Sequence, residues 1–261
     1  MKGISIVLVV LCALSVCPLA SASDPGDVGI VLMHGKQGAP GAVINRLANH
    51  LASAGYAVST PIMPWSRNRI YEKTVDDAMG EIDRECAMLR KQGARKIVVA
   101  GQSLGANAAL RYAATGREID GLIALAPGHS PEWPRIRELF AEDVERAKEK
   151  IEAGNVTRAI LFHDGNMGRK FQIYVRPDVY FSWMAPNGPA VMPKNAASIR
   201  TAIPILYIVG SLDPWATPKG QIFDKAPFHP KSRFVTVTAD HLGVPSASIE
   251  VTLDWLESIS K

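Results

Sequence analysis

Residues Lys96-Ile97-Val98-Val99-Ala100-Gly101-Gln102-Ser103-Leu104-Gly105-Ala106-Asn107-Ala108-Ala109-Leu110 decide how this chain is read. An apolar β-branched run leads into a small-residue helical pattern, and a G-x-S-x-G pentapeptide lies at the join. The pentapeptide alone is weak evidence, because glycine and serine are common. Its place between a strand and a helix gives it meaning. A serine held in so sharp a turn projects its hydroxyl clear of the backbone, and the flanking glycines let strand and helix approach without a clash. The helix N-terminus beneath it favours developing negative charge. Ser103 is thus the candidate nucleophile, against the plainer reading of a solvated serine in a glycine-rich turn.

Outward from this unit, short apolar runs alternate with helical patterns, as in βαβ units with a mostly parallel sheet. Strands are predicted at 28–33, 56–60, 96–100, 121–126, 203–209 and 233–237, and helices at 42–54, 75–92, 104–115 and 246–260. The strands read as nearly continuous apolar runs, as expected where helices cover both faces. The fold class is therefore α/β, a three-layer α/β/α domain over 23–261, and 261 residues suit one core. One stretch breaks the rhythm. About 75 residues separate the fourth strand from the fifth, far more than a crossover needs, so 128–201 is predicted to be an insertion with its own structure. Its first helix carries Ile136, Phe140, Val144, Ala147 and Ile151 on one face, and extended pieces are predicted at 171–175 and 179–183.

A serine hydroxyl needs a base, and in an open α/β sheet that base sits on a loop beyond the carboxyl end of a strand. His241 follows the last predicted strand and meets this condition, whereas His229 precedes it and His50 lies in a helix. A carboxylate must orient the imidazole. Asp213, just past the strand at 203–209, is preferred over Asp240, whose adjacency to His241 keeps it from the far ring nitrogen. The glycine-bearing loop Met33-His34-Gly35-Lys36-Gln37-Gly38 follows the first strand. With Leu104, it offers the backbone N–H of Lys36 as an oxyanion trap. This gives the Lys36 ammonium no part in the chemistry. His34 precedes the turn and reads as a brace for the loop.

These motifs, in the order Ser, Asp, His with a His-Gly loop after the first strand, resemble the α/β-hydrolase superfamily over the whole chain after the leader except the insertion. The resemblance implies a serine hydrolase and makes the insertion a cap over the active site. Too few residues precede the first strand for the antiparallel hairpin that often opens the family's sheet, so about six strands ordered 2-1-3-4-5-6 by appearance are expected. The expected substrate is a small acyl compound, a carboxylic ester or thioester cleaved through an acyl-enzyme on Ser103. Hydrolysis of short peptides, acyl transfer to an alcohol, and a catalytically idle binding module are the alternatives. The insertion is rich in aromatic residues, and Trp183 and Phe181, with Trp215 beside Asp213, are candidates to face the substrate.

Composition narrows the partners. A formal charge of +4 with no long basic run argues against nucleic acid. No His, Cys or carboxylate cluster has metal-ligand spacing, and no cofactor is implied. Residues 1–22 read as a signal peptide: Lys2, an apolar stretch from Ile4 to Ala13, and Ala20-Ser21-Ala22 as the cleavage site. The expectation is an exported protein, periplasmic or secreted, without stable membrane insertion after cleavage, since a spanning helix needs about 20 apolar residues. Cleavage would leave Cys86 as the sole cysteine, on the apolar stripe of its helix and thus a core residue.

Overall fold

The computed structural model describes residues 24–260, so the leader at 1–22 lies outside the described residues. Six parallel strands form the central sheet: β1 (Val28–Met33), β2 (Ala57–Ser59), β3 (Lys96–Gln102), β4 (Gly121–Leu125), β7 (Ile205–Gly210) and β8 (Arg233–Val237). Their spatial order is β2-β1-β3-β4-β7-β8, which is 2-1-3-4-5-6 by appearance in this sheet. The missing numbers, β5 (Ile160–Asn166) and β6 (Arg169–Val175), belong to a separate antiparallel pair within the insertion.

Alternate residues of the strands feed two cores, as period-2 geometry requires. Val28, Ile30, Leu32, Val98, Ile123 and Ile208 face α1 (Asn45–Ser53) and α8 (Ile249–Ser260), where Leu47, Leu51, Trp255 and Ile259 close the layer. Val31, Met33, Val99, Leu122 and Tyr207 face α2 (Val75–Lys91) and α3 (Leu104–Ala114). Cys86 is buried in that second core, as its place on the helical stripe predicts. A short helix, α7 (Val244–Ala247), precedes α8, so the C-terminal helical stretch is broken where a single element was expected.

The insertion contributes α4 (Pro134–Glu152), the β5–β6 hairpin, α5 (Pro177–Met184) and α6 (Met192–Ala197). One expectation is corrected here. The segment 179–183 is helical despite its β-branched and aromatic residues, because Pro177 opens the helix at its first turn and Val179, Tyr180 and Trp183 bury inward. The β5 strand was not foreseen. It pairs with β6 through a turn at Met167 and Gly168, with φ of 51° and 77°, the two positive values of a type I′ hairpin. The insertion's core (Phe140, Phe162, Trp183) is continuous with the α2–α3 core of the sheet. It is not a detachable module.

Candidate active site

Ser103 stands at the carboxyl end of β3, in the sharp turn that leads into α3, with φ of 55° and ψ of −116°. A side chain rarely adopts this conformation, and the surroundings enforce it. Its N–H donates to Leu125 O at 2.9 Å, and its carbonyl accepts from Gly128 N–H at 3.2 Å. The flanking glycines are needed for space. A Cβ on Gly101 would meet Gly105 C at 2.2 Å, and one on Gly105 would meet Met33 O at 2.6 Å.

The loops after β7 and β8 bring two further candidates to this point. The Ser103 hydroxyl donates to His241 Nε2 at 2.9 Å, and His241 Nδ1–H donates to Asp213 Oδ2 at 2.7 Å. Asp213 takes its second bond from Trp215 N–H at 2.9 Å, which fixes the carboxylate, and its side chain is 1% exposed. The Trp215 indole meets the His241 ring edge-on at 5.7 Å. Asp240 is occupied elsewhere, capping its own turn through Gly243 N–H at 2.7 Å. A buried carboxylate holding Nδ1–H leaves Nε2 free to take the serine proton, so this chain of groups can raise the nucleophilicity of Ser103.

The loop after β1 lies against the serine. A Cβ on Gly35 would fall 3.1 Å from Ser103 Cβ. The N–H groups of Lys36 and Leu104 have no intramolecular acceptor among the described residues, which leaves both available to an incoming oxygen. His34 is buried and braces the loop. Its Nε2 accepts from Met63 N–H at 3.1 Å and its Nδ1–H donates to Gly35 O at 2.8 Å, a pairing that fixes the tautomer. Burial holds its pKa below the ordinary histidine value, in keeping with a neutral ring.

Sequence reasoning gave the Lys36 ammonium nothing to do, and the structure gives it a partner. Its Nζ donates to Asp164 Oδ1 at 2.7 Å and to Gly165 O at 2.8 Å, with the two charged side chains 7% and 1% exposed. Asn166 Nδ2 donates to Lys36 O at 3.3 Å. The loop is therefore tied to β5 of the insertion by a buried ion pair. Tyr71 packs here too. Burial, and then the Asp164 carboxylate, push its hydroxyl well above the ordinary range. His129 lies beside this pair, and burial followed by the Lys36 charge brings its pKa down to about 3, so its ring is neutral.

Above Ser103 opens a cavity of about 700 Å³. Its walls include Trp133, Ile136, Phe140, Met184 and Trp215. Of the three residues expected to face a substrate, only Trp215 does. Trp183 and Phe181 are corrected. Trp183 is 1% exposed, donates its indole N–H to Lys73 O at 2.9 Å and packs on Trp65 and Tyr71, while Phe181 packs against the same core. Gly128 was missed, although its place just past β4 could have flagged it. A Cβ there would lie 2.8 Å from Ser103 Oγ, so only glycine leaves the nucleophile's approach open. Asp164 gave no signal in sequence, being 128 residues from its partner.

The sequence matches the family model for serine aminopeptidases of the S33 type over residues 26–241. Among solved structures, a monoacylglycerol lipase from Paleococcus ferrophilus superposes with a TM-score of 0.63 at 21% identity, over 91% of this chain and 96% of that one. A structure reported with LipS and LipT, two metagenome-derived lipolytic enzymes, gives 0.61 at 16% identity, over 93% and 96%. Est1E from Butyrivibrio proteoclasticus, with ferulic acid bound, gives 0.56 at 19% identity, over 87% and 89%. No curated protein matches the sequence.

Proposed function

We infer that this chain, which belongs to the serine aminopeptidase S33 family and is a serine hydrolase of the α/β fold, cleaves a carboxylic ester or thioester. The observation that carries the reading is the hydrogen-bonded chain Asp213–His241–Ser103 opening onto an apolar-walled cavity. Ser103 Oγ attacks the carbonyl carbon as its proton passes to His241 Nε2, and the Asp213 carboxylate offsets the imidazolium. The N–H groups of Lys36 and Leu104 receive the developing oxyanion. The C–O or C–S bond then breaks, the leaving atom taking the proton from Nε2, and water releases the acyl group by the reverse sequence of proton transfers.

The family's description admits a second reading, removal of an N-terminal residue from a peptide. Such a substrate brings an ammonium group that needs a free carboxylate. The acid lining the cavity, Asp164, is already bonded to Lys36, which favours the ester. An acyltransferase would share the first half-reaction and replace water with an alcohol. An idle binding module would not need a complete serine, histidine and carboxylate set. Export, resting on Lys2 and the apolar stretch before Ala20-Ser21-Ala22, is part of the same proposal, and the mass of the mature protein tests it.

A fluorophosphonate probe and a p-nitrophenyl ester series test the chemistry. We expect labelling, and rates that rise from acetyl to about butyryl or hexanoyl before falling, since each buried methylene contributes up to about 0.8 kcal/mol. A folded protein that takes no probe and cleaves none of the esters would overturn the reading.

A further inference from the structure

The cavity above Ser103 carries an unbalanced charge. Lys36 and Asp164 neutralise each other on its wall. Arg135, Arg169 and Lys170 also line it, and none has an acidic partner within ion-pair distance among the described residues. The chain as a whole is nearly balanced, with 29 basic and 25 acidic residues, so three unpaired cations around one cavity are a local concentration.

Local structure does not account for them. Arg135 sits in the first turn of α4, where the helix dipole favours acids, and that turn contains none. Arg169 and Lys170 stand opposite Asn166 and Gly165 across the hairpin, with no cross-strand carboxylate to meet them. Lys170 Nζ is 5.8 Å from the centre of the Phe140 ring, which fixes its charge over an apolar wall of the cavity. A cleft lined by one sign of charge with low-dielectric walls focuses its field on whatever enters. All three side chains are exposed, so they would meet an anion at the mouth of the cavity, where salt can screen them.

Building on the ester-hydrolase reading, we propose that the natural substrate carries an anionic group, a carboxylate or phosphate, set apart from the scissile carbonyl by an apolar body. The carbonyl lies at Ser103, the body against Trp133, Ile136 and Trp215, and the anion among Arg135, Arg169 and Lys170.

The test compares matched pairs. On the acyl side, mono-4-nitrophenyl glutarate is set against 4-nitrophenyl pentanoate. On the leaving-group side, butyryl-coenzyme A is set against the butyryl thioester of N-acetylcysteamine. At least one anionic member should exceed its neutral partner in kcat/KM by about tenfold at low ionic strength, as expected of electrostatic steering into such a cleft. The pair that shows it tells which side bears the charge. The ratio should fall to near one in the Arg135→Glu/Arg169→Glu/Lys170→Glu variant, and in the unaltered enzyme at about 1 M salt, where the screening length is about 3 Å. Should neither anion be preferred, or a preference survive both treatments, the proposal is wrong. Absence of turnover on both esters and both thioesters would overturn the ester-hydrolase reading, and the inference with it.

Discussion

The central sheet is held by apolar burial. Its strands alternate residues into two apolar cores, and Ser103, Asp213 and His241 hang from its carboxyl edge on short loops. The insertion is held differently. It shares an apolar core with α2 and α3, but it also buries Asp143, which bonds His163 and Arg146, and Asp164, which bonds Lys36. Apolar packing degrades by degrees when one side chain changes. A buried charge that loses its partner does not, because the full desolvation penalty is then uncompensated. The sheet therefore supplies a tolerant frame, while the insertion and its seam depend on a few specific polar contacts.

The largest effect should come from the sheet's own edge. Ser103→Ala should abolish probe labelling and lower turnover by roughly 10⁴-fold or more with little change in Tm, and His241→Ala should cost about as much. Because the two residues act as a unit, the double variant should add little to either. Near-normal turnover by Ser103→Ala would place the chemistry elsewhere, and the sheet edge would lose its role in the comparison.

The seam comes next. Lys36→Met leaves Asp164 buried without its cation and should destabilise by about 3–5 kcal/mol in denaturant unfolding. Adding Asp164→Leu should recover most of that loss, since two apolar groups replace the pair. If Lys36→Met costs less than about 1 kcal/mol, the loop after β1 is held by the sheet alone. Gly128→Ala probes the same seam by space instead of charge. A methyl 2.8 Å from Ser103 Oγ should lower kcat/KM by about 10²-fold with a Tm shift of only a few degrees. Gly80→Ala in α2, where a methyl meets nothing within 4 Å, is the control and should stabilise by about 0.5–1 kcal/mol.

The two regions also differ in how far they could be read from sequence. The sheet strands lie within about two residues of their predicted bounds and in the expected order, because each is an apolar run bounded by turn residues. Asp213 was separable from Asp240 by simple reach. In the insertion, long-range contacts override local preference. Val179, Tyr180 and Trp183 favour strand, yet they form a helix because Pro177 opens it and their side chains bury in the core shared with α2 and α3. The hairpin turn puts Met167 at a left-handed φ that asparagine or glycine would have advertised. Aromatic enrichment pointed to a substrate slot, but Trp183 and Phe181 fill the core beneath it. A pair such as Lys36 and Asp164 has no periodicity to betray it.

The smallest prediction asks whether the insertion is also the pH-sensitive region. Both carboxylate oxygens of Glu132, one residue before the N-cap of α4, are buried without a hydrogen-bond partner, and burial pushes its pKa up to about 7. A carboxyl raised in the folded state binds its proton more tightly than the unfolded chain does. Its contribution is fully present below about pH 4.5 and is lost as pH rises through about 7. Because the rest of the side chain is partly exposed and the site can relax around a charged carboxylate, about 1–2 kcal/mol is expected for the loss. His34 and His129 act in the opposite sense. Their folded pKa values are depressed, so they favour the folded state above the ordinary histidine value of 6.5 and oppose it as pH falls. The net profile of the unaltered protein therefore mixes both signs, and the difference from Glu132→Gln isolates the carboxyl. Unfolding by urea at pH 5 and pH 8 should show the unaltered protein losing about 1–2 kcal/mol more than Glu132→Gln over that interval. Identical losses would mean that Glu132 reaches water, and that the insertion's polar interior is as insensitive to pH as the sheet's apolar one.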